Sequence, residues 1–310
     1  MTAFFKVSGG GNDFLALPEP AAPPAAEQIR AWCRRGVSLG ADGLFVLRRG
    51  ARADGGRVAG GAAAVAGRAD GGTAAAGGAG PAAAESNPVE MDYFNADGRE
   101  ADLCLNGTRC AAQLAFHLGW AGGRAMVLTA AGPFTARRLD DRSVVLELPP
   151  PEAPAELGVD LDGHAHRGWR LTVGVPHFVL HWPADLESAP VVALGRPLRH
   201  HQSFQPAGTN VDFVRFPSPH QMEIRTYERG VEAETLACGT GVLAGAAVGL
   251  TLGRAALPLT AATRGGFALT VDRAPAGGGW TLAGDARLVA SGHLLPGADP
   301  PQLSGADPAH

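Results

Sequence analysis

Short strand-like runs dominate the pattern of hydrophobic and polar positions in this chain. They are rich in β-branched, aromatic and other apolar residues, and glycine, proline or polar residues bound them. Runs of this kind predict β-strands. They lie at residues 44–47, 89–94, 144–148, 170–173, 177–180, 210–214 and 222–227.

Two segments have the spacing of helices instead, at residues 107–118 and 241–250. In the first, Cys110, Leu114 and Leu118 recur every four residues and so share one helix face. Many strands with a few helices set among them predict an α+β fold in which strands predominate.

Two breaks divide the chain. Residues 50–86 are mostly glycine and alanine, and such a segment buries little when it orders, so we predict a surface insertion in the loop of a hairpin. Repeated Gly-Gly pairs oppose the alternative, an alanine-rich helix. Three prolines at residues 149–151 cannot lie inside a sheet, so we predict a linker there.

These breaks predict two domains, as the length of 310 residues also does. The N-terminal domain is expected to span residues 1–149, to carry the insertion at about 50–86 and to be completed by a C-terminal strand at about 286–296. The C-terminal domain is expected at residues 150–285, and a flexible tail at 297–310.

Composition excludes several classes of protein. The net charge of −4 gives no basic surface for a nucleic acid. No apolar run reaches about 18 residues, and no signal peptide begins the chain, so we expect no membrane span and a cytoplasmic protein. There the four cysteines should stay reduced, and none forms the C-x-x-C pair typical of zinc or thioredoxin-type sites.

One motif occurs twice. Residues 100–107 and 234–241 share the pattern E-x-x-x-C-x-[NT]-G, and each copy leads into a predicted helix. The cysteines of the two copies are Cys104 and Cys238. Upstream, residues 11–14 and 210–213 also look alike, since each has asparagine, aspartate and phenylalanine in order. The repeat predicts two similar halves related by a pseudo-twofold axis.

A cysteine at a helix N-terminus meets unpaired backbone N–H groups and a partial positive charge. We expect this position to lower the pKa of Cys104 and Cys238 from about 8.5 towards neutrality. The same N–H groups can hold a carboxylate. Two such helix ends facing each other would place a thiol on each side of an amino acid α-carbon, which suits inversion by one base and one acid without a cofactor.

Other interpretations stay open at this point. A free cysteine is usually a small buried hydrophobe, which we expect of Cys33 and Cys110. Two reactive thiols would also suit a redox protein. A Cys104–His177 hydrolase is a further alternative, but it leaves Cys238 without a purpose.

Several motifs together resemble the diaminopimelate epimerase family over nearly the whole chain outside the insertion and the tail. They are Phe5-Lys6 with residues 9–14, Gly40-Ala41-Asp42-Gly43, residues 94–98, residues 104–110, Pro176-His177, residues 208–211 and residues 227–241. The resemblance implies two pseudo-symmetric domains, each a barrel-like, mainly antiparallel sheet around a central helix, in a homodimer. It implies interconversion of LL- and meso-2,6-diaminopimelate, a step towards lysine and peptidoglycan, with no cofactor and no metal.

The resemblance also implies roles for individual residues. The catalytic thiols fall on Cys104 and Cys238, and His177 and Glu228 tune them. The implied substrate contacts are Asn12, Asn95, Leu105, Asn106, Asn210, Glu228, Arg229, Gly239 and Thr240. Arg229 can bind a carboxylate through two parallel hydrogen bonds, and asparagine both donates and accepts.

The chain departs from the family pattern at two positions. Leu105 stands where glycine is common, although its backbone N–H can still bind a carboxylate. Val175 stands where many members have asparagine before Pro-His. A relative with the same chemistry and another amino acid substrate is therefore the alternative, against which Arg229, Asn95 and Asn210 favour a second amino acid head group.

Overall fold

The computed structural model describes residues 2–50, 88–101, 103–295 and 298. The predicted insertion from residue 51 onwards, and the predicted tail apart from Ala298, lie outside the described residues. Four α-helices are present in the described ranges: α1 (Ala26–Cys33), α2 (Leu105–His117), α3 (Val191–Arg199) and α4 (Gly239–Thr251). Short 3-10 helices lie at Leu186–Ser188 and Gln202–Phe204.

Strands make up most of the remaining ordered chain. The first seven are β1 (Thr2–Gly9), β2 (Asn12–Pro18), β3 (Gly43–Arg49), β4 (Pro88–Asn95), β5 (Arg124–Thr129), β6 (Gly132–Arg138) and β7 (Ser143–Leu148). The others are β8 (Ala155–Leu161), β9 (His164–Val173), β10 (Val175–His181), β11 (Asn210–Ser218), β12 (Gln221–Glu228), β13 (Ala233–Thr235), β14 (Leu259–Thr263), β15 (Ala268–Arg273), β16 (Trp280–Asp285) and β17 (Arg287–Leu294).

One order of strand pairing occurs twice. In the N-terminal half, β1–β2 is antiparallel, β2–β3 parallel, β3–β4 antiparallel, β4–β5 parallel, and β5–β6 and β6–β7 antiparallel. In the C-terminal half, β9, β10, β11, β12, β14, β15 and β16 pair in the same order and the same directions. The predicted α+β class with two pseudo-symmetric, mainly antiparallel sheets is confirmed.

Each half has one further strand at the same edge of its sheet. The last strand of the chain, β17, pairs with β1 in the N-terminal half, and β8 pairs with the equivalent strand β9 in the C-terminal half. Antiparallel pairing of β7 with β16 joins the two halves. The residues between β7 and β8, including the predicted proline linker, have no regular structure. The predicted domain boundaries stay a prediction.

The predicted equivalence of residues 11–14 and 210–213 is wrong. The strand order makes β2 the counterpart of β10, and β3 the counterpart of β11. Residues 12–14 on β2 and 210–213 on β11 therefore occupy different places in the two halves, and their similarity is not part of the duplication. A short polar–apolar pattern at a strand start recurs easily, whereas the pairing register fixes equivalence.

Each half wraps its sheet around one buried helix. Both predicted helices are confirmed, but they begin at Leu105 and Gly239, two residues before the motif glycines. The sequence predicted one inward face for α2, whereas Thr108, Arg109 and Gln113 on other faces are buried as well. A helix enclosed by a sheet has no solvent face, which explains why α4 is apolar or small all round.

The predicted hairpin is confirmed by the antiparallel pairing of β3 with β4. Among the described residues no helix is long and apolar enough to cross a membrane.

Candidate active site

The two cysteines of the repeated motif cap the two central helices. Cys104 is the N-cap of α2, and its Sγ accepts a hydrogen bond from the backbone N–H of Gly107 at 3.3 Å. Cys238 is the N-cap of α4, and its Sγ lies 3.3 Å from the hydroxyl oxygen of Thr240. Each sulfur therefore lies in the first turn of a helix, where backbone donors are free to bind an anion.

The side chain of Asn106 ties the two helix ends together. Its Nδ2 donates to Asn12 Oδ1 at 2.7 Å and to the backbone oxygen of Ala237 at 3.3 Å, directly before Cys238. Its Oδ1 accepts from Arg109 Nη2 at 2.6 Å, which fixes the orientation of the amide. The two motifs, which are 134 positions apart in the chain, therefore meet at one place.

Leu105 fills the contact between the same two helices. It is buried, and a Cβ built on Gly239 would lie 3.2 Å from Leu105 Cβ and 3.2 Å from Leu282 Cδ2. The leucine at a family glycine position is thus packed into the core between the halves, and the glycine across the contact leaves the room for it.

A buried polar layer lies behind Cys238. Asp212 Oδ2 is 2.7 Å from His177 Nδ1, and both side chains are fully buried. The other carboxylate oxygen, Oδ1, accepts from the Thr226 hydroxyl at 2.7 Å. His177 Nε2 lies 3.4 Å from Asn210 Nδ2, and Asn210 Oδ1 accepts the backbone N–H of Arg229 at 2.7 Å. The network ends beside the C-terminal end of β12, where Glu228 lies.

The layer behind Cys104 is aromatic. The Phe14 ring is 6.3 Å from the Phe45 ring and 5.9 Å from the Tyr93 ring, the latter pair edge to face. Such packing stabilises a core without any charge. The Tyr93 side chain lies close enough to the Cys104 thiol to lower the pKa of that thiol.

The electrostatics of the thiols differ from the sequence prediction. Burial raises the pKa of the Cys104 thiol to about 11, against smaller lowering effects from Gly107, Arg109 and Tyr93. Burial, then the carboxylates of Glu228 and Asp212, raise the pKa of Cys238 well above its usual value. The predicted lowering by the helix ends is wrong for this structure, because loss of water from a buried sulfur outweighs the donors of one helix turn.

Glu228 is close enough to both sulfurs to act on each. Its carboxylate raises the pKa of Cys104 and of Cys238. Burial in turn raises the pKa of Glu228 itself, while nearby His177 lowers it. One carboxyl group therefore acts on the protonation of both thiols.

The structure brings most of the sequence-predicted residues to this place. Those joined by the contacts described above are Asn12, Leu105, Asn106, His177, Asn210, Glu228, Arg229, Gly239 and Thr240. The guanidinium of Arg229 donates from Nη1 to the backbone oxygen of Ala207 at 3.3 Å. Asn95 is exposed at the end of β4, and its backbone N–H donates to the backbone oxygen of Arg99. Within the described part of the chain, no hydrogen bond joins its side chain to the network.

The glutamates that open the repeated motif do not act alike. Glu234 forms a two-bond ion pair with Arg225 at 2.7 Å and 2.8 Å, on β13 beside β12. Glu100 is exposed, and its backbone pairs with Phe94 in an isolated bridge. The shared glutamate of the motif is therefore a structural position in one half and a surface position in the other.

Sequence reasoning missed Arg109, Asp212 and Tyr93. Arg109 is fully buried two residues after Gly107, and its Nε donates to the backbone oxygen of Asp285 at 3.3 Å. The available signal was an arginine directly before Cys110, on a segment whose apolar spacing predicted a buried helix face. No sequence signal marked Asp212 or Tyr93, since each lies on a strand in which apolar and polar residues alternate in the usual way.

Comparison with known proteins agrees with this geometry. The family model described as diaminopimelate epimerase matches residues 170–287. The diaminopimelate epimerase of Aquifex aeolicus is 34% identical over 282 residues, covering 87% of this chain and 89% of its own.

Two solved structures share the fold at lower identity. A phenazine biosynthesis protein of Enterococcus faecalis has a TM-score of 0.60 at 16% identity, covering 94% of this chain and 98% of that one. A hydroxyproline epimerase of Agrobacterium vitis has a TM-score of 0.59 at 15% identity, covering 94% and 91%. These two structures show the fold alone. The 34% identity along most of both chains shows the family: this protein belongs to the diaminopimelate epimerase family of isomerases.

Proposed function

We propose that this protein interconverts LL- and meso-2,6-diaminopimelate with two cysteines and no cofactor. The observation that carries the proposal is the meeting of two cysteine-capped helix ends, tied by the Asn106 bond to the backbone oxygen before Cys238. Membership of the family supports the substrate, since the relatives matched over most of the chain carry the name diaminopimelate epimerase.

In the proposed reaction one sulfur is a thiolate and the other a thiol. The thiolate removes the α-proton of the bound amino acid, and its electron pair passes into the adjacent carboxylate as an enediolate. The opposing thiol then delivers its own proton to the other face of the α-carbon. After the reaction, the protonation states of Cys104 and Cys238 are exchanged.

The backbone donors at both helix ends are proposed to hold the substrate carboxylate and to stabilise the developing negative charge. Leu105, Gly239 and Thr240 begin the two helices and supply those donors. Asn12 and Asn106 lie between the helix ends and are proposed to border the reacting centre.

The distal amino acid head group needs its own contacts. We propose that Arg229 binds its carboxylate, and that Asn95, Asn210 and Glu228 complete the pocket for its ammonium group. Glu228 and His177 are also proposed to tune the thiols, which agrees with the effect of Glu228 on the pKa of both.

We further propose that the reaction serves lysine and peptidoglycan precursor synthesis in the cytoplasm, and that the protein is a homodimer. Sedimentation equilibrium of the purified chain tests the dimer. A single species at the monomer mass of 31.6 kDa would contradict it.

The reaction is tested by incubating reduced protein with LL-diaminopimelate in heavy water. Because the α-proton is exchanged for one from a solvent-equilibrated thiol, we expect deuterium at one α-carbon together with formation of the meso isomer, both measured by NMR. Proline and histidine serve as parallel substrates. Exchange with one of these alone would reassign the substrate, and exchange with none would sink the proposal.

A further inference from the structure

A cleft with a volume of about 630 Å³ lies on the N-terminal half of the molecule. It is lined by side chains from the second half of α2, from the end of β6 and the turn after it, and from the start of β17. One of them, Gln113, follows Cys104 by nine residues. That separation is about 13 Å along a helix axis, so the cleft is distinct from the candidate active site. Its volume is in the usual range for small-molecule sites.

Gln113 brings an unused hydrogen-bond acceptor to this cleft. Its side chain is buried, and Nε2 donates to the backbone oxygen of Asp140 at 3.2 Å. That bond fixes the orientation of the amide, because only its nitrogen can donate. The other atom, Oε1, is buried and has no hydrogen-bond partner among the described residues. A buried acceptor without a donor is destabilising, so a ligand with an N–H or O–H group would be favoured here.

The arginines of the cleft leave one positive charge in excess. Arg138 forms an ion pair with Asp141, and Arg287 forms one with Asp285 through Nε at 2.8 Å. Arg142, in the turn between β6 and β7, has no ion pair with another described residue. All three arginines line the same cleft. Because a guanidinium group binds carboxylate and phosphate through parallel hydrogen bonds, this set favours an anion.

The acceptor and the excess charge together select one kind of ligand. The arginines call for an anionic group, and Gln113 Oε1 calls for a hydrogen-bond donor. An ammonium donor would cancel the charge of the anion, whereas a hydroxyl group keeps it. His117 and Leu288 complete the lining, and Leu288 offers an apolar surface to a short carbon chain.

We propose that this cleft binds a small organic anion that carries a hydroxyl group, with phosphate or carboxylate as the anionic group. The anion contacts Arg142 and the neighbouring arginines, and the hydroxyl group donates to Gln113 Oε1. This binding site goes beyond the proposed function, because no step of the proposed epimerisation uses these residues.

The test compares two hydroxyl-bearing ligands with hydroxyl-free counterparts of the same chain length. Glycerol 3-phosphate is set against propyl phosphate, and glycerate against propionate, at one ionic strength because salt screens exposed charges. Saturation-transfer-difference NMR with the intact, reduced protein gives each Kd.

We expect the hydroxyl-bearing ligand to bind about fivefold more tightly than its counterpart in at least one pair, which is the worth of about one hydrogen bond. The pair that shows the preference identifies the anionic group. Equal affinities within both pairs, or no binding by any of the four ligands, would overturn the proposal.

An arginine variant and a matched control locate the bound ligand. Arg142→Gln should weaken binding by about tenfold or more, because it removes a charge-assisted hydrogen bond. Arg137 is exposed one position before Arg138 and is not among the residues that line the cleft. Arg137→Gln should therefore change the Kd by less than about twofold. Equal weakening by the two variants would indicate general attraction to positive charge and contradict a built site.

Gln113→Met tests the acceptor, since methionine has a similar length but no strong acceptor atom. In this variant the preference for the hydroxyl-bearing ligand should disappear, while the hydroxyl-free counterpart keeps its affinity. A preference that survives the substitution would exclude Gln113 from the site and refute the inference. If Gln113→Met does not fold, Arg142→Gln and Arg137→Gln still decide the matter. Binding is measured without turnover, so failure of the proposed function would not affect this result.

Discussion

Gly241 lies where the polar layer touches α4, and its replacement by alanine should destabilise the fold. A Cβ at this position would be 2.5 Å from Asp212 Oδ1 and 3.2 Å from Thr226 Oγ1. The carboxylate cannot simply retreat, because Thr226 and His177 hold its two oxygens at 2.7 Å each. An alanine there forces either the helix or the hydrogen-bonded carboxylate to move.

The size of the effect follows from three contributions. Overpacking a well-packed core costs about 1–3 kcal/mol. Loss of one hydrogen bond to the buried carboxylate costs about 1.5–3 kcal/mol. Alanine in place of glycine in a helix returns about 1 kcal/mol. We therefore expect Gly241→Ala to lower the free energy of unfolding by about 3 kcal/mol.

The duplicated frame supplies a matched control at Gly107, the third residue of α2. There a Cβ would meet the Cε methyl of Met91 at 3.0 Å and Cys104 Sγ at 3.4 Å. The end of a methionine side chain can rotate away, and the gain in helix propensity offsets the adjustment. Gly107→Ala should therefore stay within about 1 kcal/mol of the wild type.

Urea denaturation followed by circular dichroism measures both variants against the wild type, with the slope of the transition checked for constancy. Equal stability of Gly241→Ala and Gly107→Ala would refute the reasoning, because the two positions differ only in what lies behind them. A destabilisation confined to Gly107→Ala would refute it as well.

Three further outcomes are expected. Cys104→Ala and Cys238→Ala should each lower kcat by about 10²–10⁴-fold or more, since each removes one of the two proton-transfer groups; a single variant with full activity in the epimerisation assay would exclude that cysteine. Arg229→Lys should lower kcat/KM by about tenfold or more, because lysine cannot form the two parallel bonds to a carboxylate, and unchanged steady-state kinetics would remove Arg229 from the pocket. Burial raises the pKa of the Cys33 thiol from 9.0 to about 11, so its protonated form stabilises the fold below about pH 9 and this contribution is lost as the pH rises through about 11. The free energy of unfolding should fall across that window, and less steeply in Cys33→Ala.

Local pattern was sufficient for seven strands and for both central helices, and it singled out the two cysteines that we propose to react. The alternation of β3 and β4, the helical spacing of α2 and the repeat around Cys104 and Cys238 all depend on residues close in sequence. Such patterns follow from the periods of strand and helix and from helix capping, which act over a few residues.

Local sequence pattern could not show which strands of the two halves are equivalent. Residues 12–14 and 210–213 look alike, yet the register assigns β2 to β10 and β3 to β11. Strand partners lie far apart in the chain, and pairing is decided by which faces become buried together.

The sequence by itself determined that two cysteines begin two helices and that the chain has two similar halves. The tertiary structure alone decided what faces those cysteines. It enclosed α2 and α4 in sheets, so that burial raises the pKa of both thiols despite the helix ends. It also set Arg109 behind one sulfur and Asp212 behind the other. Capping is a local property of the backbone, whereas desolvation and the field of a buried charge depend on every element packed around the group.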